Sequence, residues 1–92
     1  MAGNKEMDAM IQELYALIAS LRDEKECRML FDDLCTNKEI EQMAQRLRAA
    51  RLLLEGNTYQ QIIRQTDISS ATLSRVSRCV QYGGGYSTIL RK

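Results

Sequence analysis

The stretch TYQQIIRQTDISSATLSRVSR, residues 58–78, holds two short helical patterns around a five-residue connection. Ile62 and Ile63 are the apolar pair of the first pattern; Leu73 and Val76, three apart, share one face of the second. Thr58 with Gln61 three residues on is a capping box: the hydroxyl accepts a first-turn amide and the glutamine reaches back. In Gln65-Thr66-Asp67-Ile68-Ser69, Ile68 plugs the turn and Ser69 caps the next helix. Two helices joined so tightly form a helix-turn-helix. Asp67 holds the turn position usually given to glycine, and aspartate is among the residues that tolerate a left-handed conformation. Ile63 stands where a small alanine normally lets the two helices approach, which predicts a wider crossing.

Upstream, Thr36-Asn37-Lys38-Glu39 repeats the capping-box pattern and opens a longer helix. Its inward residues read as Ile40, Met43, Ala44, Leu47, Ala50 and Leu54, with Leu52 and Leu53 widening the face before Gly56 stops it. Further back, Met7, Met10, Ile11, Leu14, Leu17, Ile18 and Leu21 trace a single stripe along about five helical turns. Asp23-Glu24-Lys25-Glu26 interrupts it, and Cys27, Leu30, Phe31 and Leu34 line a shorter second helix. Downstream, the last helix of the motif runs to about Tyr82. Gly83, Gly84 and Gly85 end it, leaving a seven-residue tail expected to dock through Ile89 and Leu90. No alternating strand pattern competes, so the fold class is all-α. The first stripe needs a partner surface that a 92-residue chain can scarcely supply, which predicts a small dimer. One domain is expected over 1–92: dimerisation helices in 1–35, the long helix and helix-turn-helix in 36–82, and a glycine-rich stop and tail in 83–92.

Composition narrows the chemistry. The chain has no histidine, proline or tryptophan, so Ser–His–Asp and Cys–His catalysis and any histidine-bearing zinc site are excluded. With no base–nucleophile pair, no enzyme is expected. The three cysteines, Cys27, Cys35 and Cys79, lack CxxC spacing, which leaves buried free thiols as the expectation. The glycine triplet is no P-loop, because no lysine and hydroxyl residue complete one. Asp23, Glu24, Glu26, Asp32 and Asp33, interspersed with Lys25 and Arg28, read as a solvated face and not a metal site. No apolar run approaches a membrane span and no secretion signal opens the chain, so a cytoplasmic protein without a membrane partner is expected. The net charge of +1 conceals a polarity: residues 1–35 sum to −4 and residues 36–92 to +5.

These features predict binding to double-stranded DNA. The first helix of the motif offers its N-terminal amides, with Thr58, Gln60 and Gln61, to a phosphate. The second lays Ser69, Ser70, Ala71, Ser74, Arg75 and Arg78 toward the major groove. An arginine there reads guanine or binds phosphate, while the small residues limit readout to close approach, water bridges or methyl contact. Useful specificity then requires two copies. The alternative is a protein-interaction module whose helix-turn-helix surface binds another protein.

TNKEIEQMAQRLRAARLLLEGNTYQQIIRQTDISSATLSR (residues 36–75) resembles the core of the Trp repressor family. With QYGGGY (residues 81–86) it is most similar to the TrpR-like YerC/YecD group of small bacterial proteins. The resemblance covers roughly residues 30–86. It implies a Trp-repressor-like helical fold, an intertwined homodimer whose two recognition heads enter successive major grooves, and a role as a transcriptional repressor. It also implies an effector pocket between the long helix and the recognition helix, at Thr36, Arg46, Arg75 and Cys79. Here Cys79 replaces a serine of the family pocket and Val76 a glycine. A thiol is a weak hydrogen-bonding group, and valine takes room that an indole needs. No cofactor is required on this reading; an amino-acid-like effector, tryptophan or another, is the open alternative.

Overall fold

The computed structural model describes residues 3–91, and the helical patterns become six helices with no strand among the described residues. They are α1 (Asn4–Ser20), α2 (Glu24–Leu34), α3 (Asn37–Leu54), α4 (Tyr59–Thr66), α5 (Ser70–Tyr82) and α6 (Gly85–Leu90). The chain divides into two compact units, one on each side of the Thr36–Asn37 bond.

In the N-terminal unit, neither helix buries a residue. Met7, Met10, Ile11 and Leu17 are 44–48% exposed, while Leu14 and Ile18 are half-buried, so the α1 stripe exists as read but stays open to solvent. The acidic residues that begin α2 serve the helix itself. Asp23 accepts the Glu26 amide at 2.9 Å as N-cap. Glu26 accepts the Arg22 backbone amide at 2.8 Å and its guanidinium at 2.7 Å. Those two bonds, the guanidinium first, hold the Glu26 carboxyl below its ordinary pKa. Arg28 pairs with Glu24 at 3.0 Å one turn along. On α2, Cys27, Leu30 and Phe31 are half-buried and Leu34 is half exposed.

The C-terminal unit has the core. Ala49, Ala50 and Leu52 of α3 close on Ile62 of α4, Ile68 of the turn, and Leu73 and Val76 of α5. Two adjacent alanines, both fully buried, leave room for the neighbouring helices to approach α3, and the large side chains Ile62, Leu73 and Val76 fill that space. Burying each such side chain contributes about 1.5–3 kcal/mol relative to leaving it exposed. An eight-residue helix such as α4 is too short to stand alone; Ile62 and its capping box hold it.

Three expectations are corrected here. On α3, Ala44 and Leu47 are exposed and the buried face is Ala49, Ala50 and Leu52. The fully buried contacts gather on the C-terminal half of that helix, so periodicity along its whole length overstated the inward set. The tail docks through Leu90 as expected but not through Ile89, which is 59% exposed: Gly85 opens a further helix, α6, and Tyr86, four residues before Leu90, packs on the core in its place. Ser87 ties α6 back by donating to the Val80 carbonyl at 3.2 Å. The cysteines are free but none is fully buried; Cys27 and Cys35 are intermediate and Cys79 is exposed. The inward positions around Cys79 are taken by Val76, Ser77 and Val80.

Candidate nucleic-acid interface

The turn between α4 and α5 is fixed at several points. Thr58 accepts the Gln61 amide at 3.2 Å and the Gln61 side chain accepts the Thr58 amide at 2.8 Å, which completes the capping box. Asp67 adopts φ 61°, ψ 19°, the left-handed conformation its place in the turn demands. Its amide donates to the Ile63 carbonyl at 2.8 Å. Thr66 donates to the Ile62 carbonyl at 2.7 Å and accepts the Ile68 amide at 3.3 Å. Gln45, from α3, donates to the Thr66 carbonyl at 3.1 Å. Ser69 caps α5 by accepting the Thr72 amide at 3.2 Å and donates to the Thr72 hydroxyl at 2.9 Å. Ile63 is half-buried and packs against the core.

Around this scaffold, Thr58, Gln60, Gln61, Ser69, Ser70, Ala71, Ser74, Arg75 and Arg78 are all exposed. Leu73, Val76 and Ser77 turn the opposite face of α5 inward. Residues 58–82 carry three arginines against one carboxylate, Asp67, and α5 has no acidic residue. The sequence reading passed over Arg64. It is exposed three residues after Gln61 and four after Gln60, and so shares their face of α4. That spacing was the available signal.

Of the residues named for an effector pocket, Arg46, Arg75 and Cys79 lie beside one cavity. With Thr72, Val76 and Tyr86 they line an open cavity of about 400 Å³. Thr36 is not among its lining residues. Val76, 1% exposed, is a fixed part of the core as well as of the cavity wall. Among the described residues, no group of three His, Cys, Asp or Glu side chains is placed to hold a metal ion. No helix there is long and apolar enough to cross a membrane.

The family model of the Trp repressor protein matches residues 9–92. The chain belongs to the Trp repressor family. YerC of Bacillus subtilis, an uncharacterized protein, is 53% identical over 79 residues, which span 86% of this chain and 72% of YerC. Two solved structures carry the Trp-repressor-like fold to near full length. A candidate Trp repressor from Staphylococcus aureus is 42% identical, with a TM-score of 0.87 over 90% of this chain and 84% of its own. A TrpR-like protein from Eubacterium eligens is 38% identical, with a TM-score of 0.89 over 97% and 93%.

Proposed function

We propose that this Trp repressor family member is a DNA-binding transcriptional regulator that acts as a homodimer, by repression through occupancy of its site. One observation carries the reading: the outer face of a rigidly braced helix-turn-helix is exposed, basic and, along α5, free of carboxylates. α4 meets the phosphate strand with its capped N-terminus, Gln60, Gln61 and Arg64. α5 enters the major groove with Ser70, Ala71 and Ser74 at the bases, and Arg75 and Arg78 reach guanine edges or phosphates. The open α1 stripe supports the dimer, because about five turns of half-exposed apolar residues need a covering surface.

The test is duplex binding as a function of salt. If Z phosphates are neutralised, log affinity falls against log salt with a slope of roughly −0.9Z. Arg75→Ala and Arg78→Ala are each expected to weaken binding and flatten that slope without changing the sedimentation of the protein. Absence of duplex binding at low salt refutes the reading and leaves the helix-turn-helix as a protein-binding surface.

The cavity at Arg46 and Arg75 favours a second element, an effector with a carboxylate. Two arginines among its lining residues suit an anion, and the fixed Val76 side chain favours a ligand slimmer than an indole. A thermal-shift screen of amino acids tests it: stabilisation by a small aliphatic amino acid and none by tryptophan is expected, and no shift with any refutes it.

A further inference from the structure

At 100° per residue, Ala71, Arg75, Arg78 and Tyr82 fall within about 60° of arc on α5, opposite buried Leu73 and Val76. Tyr82 therefore ends the same outward stripe that carries both arginines. It is 82% exposed, and its hydroxyl bonds to nothing among the described residues. The three residues that follow are glycines, so no neighbouring side chain in the next three positions flanks the ring. Ala71 and Tyr82 are about 16 Å apart along the axis, against a major groove about 12 Å wide. A helix with Ala71 at the bases thus brings its last turn to the rim, where the phosphate strand lies.

We propose that Tyr82 is a phosphate contact of the DNA-bound state, its phenol hydroxyl donating to a backbone oxygen at the groove's edge; this rests on the DNA-binding reading above. The C-terminal end of a helix carries partial negative charge and repels a phosphate held close to its carbonyls. A hydroxyl held clear of the backbone on a ring, with Arg78 one turn back, overcomes that repulsion.

The test uses the full chain, a fluorescently labelled mixed-sequence duplex and a salt series, with Tyr82→Phe, Tyr82→Ala and Arg78→Ala beside wild type. Tyr82→Phe is expected to sediment as wild type and bind more weakly, by about three- to tenfold for each head engaged. Its salt slope stays unchanged, since a neutral donor releases no counterion, whereas Arg78→Ala, which removes one cation from each of two heads, flattens the slope by about 1.8. Wild-type affinity in Tyr82→Phe overturns the proposal while leaving the DNA-binding reading intact. A change of assembly in Tyr82→Ala with unaltered affinity in Tyr82→Phe also overturns it and moves Tyr82 to a contact between copies. Failure of wild type to bind the duplex at low salt overturns both.

Discussion

Of three consecutive glycines that look alike in sequence, only Gly83 is demanded by packing. A Cβ placed on Gly83 stands 2.7 Å from the Cys79 carbonyl oxygen, about 0.7 Å inside ordinary contact. That oxygen also accepts the Gly83 amide at 2.9 Å, so it cannot swing aside without loosening the last hydrogen bond of α5. Gly83→Ala therefore resembles an overpacked core site, at about 2 kcal/mol within a range of 1–3. For a domain of this size, 2 kcal/mol lowers Tm by about 8–16 °C. Nothing lies within 4 Å of a Cβ at Gly84 or Gly85. Gly84→Ala is expected to be nearly neutral. Gly85→Ala, in the first turn of α6, gains about 0.5 kcal/mol because the unfolded chain loses freedom. The assay is far-ultraviolet circular dichroism melting of the three variants at one fixed protein concentration, since assembly makes Tm concentration-dependent. Three alanine variants that melt within about 2 °C of one another refute the steric argument.

Asp67→Gly is expected to be at least as stable as wild type, because glycine adopts φ 61° freely, whereas Asp67→Val loses about 1–2 kcal/mol; urea titration separates them. Thr58→Ala removes one half of the capping box and loses about 1 kcal/mol by the same measurement, while Thr58→Ser is near neutral. For Glu26, whose pKa is lowered in the folded chain, the stabilisation by Arg22 is present above the unfolded carboxylate's pKa and is lost as pH falls through the lowered value. Arg22→Ala is expected to move the Glu26 midpoint up toward its ordinary value in an NMR titration; an unmoved midpoint refutes the pairing.

The helix-turn-helix was legible because each of its constraints is local. Thr58, Gln61 and Ser69 act on amides within one turn of themselves, and Asp67 declares a left-handed turn by residue type and position. α6 was not legible. Six residues are too few to show a helical period, and three glycines read as a stop whatever follows. What makes the helix is the docking of Tyr86 and Leu90 on residues distant in sequence. The inward face of α3 failed for a related reason. Leu47 fits the apolar period as well as Ala50 does, but only contacts with other elements decide that Ala50 is buried and Leu47 is 44% exposed. At the candidate interface, Arg64 belongs to the same face of α4 as Gln60 and Gln61, and its spacing of four and three from them was a legible signal that the sequence reading left out.

On the DNA-binding reading, the smallness of Ser70, Ala71 and Ser74 has a consequence for assembly. These side chains make few bidentate contacts with bases, and arginines alone discriminate by only about 1–3 kcal/mol per base pair read. A single head therefore holds DNA mainly through charge, which is indifferent to sequence. Two heads held at fixed spacing must both find their half-sites, so their modest preferences add and the spacing itself becomes a criterion. The part of the chain that can supply such a constraint is the one with no fully buried residue among those described: Met7, Met10, Ile11 and Leu17 of α1 are 44–48% exposed and the first 35 residues sum to −4. A net-negative segment is a poor surface for phosphate and a suitable one for joining copies, which leaves the basic heads, at +5, to face the duplex.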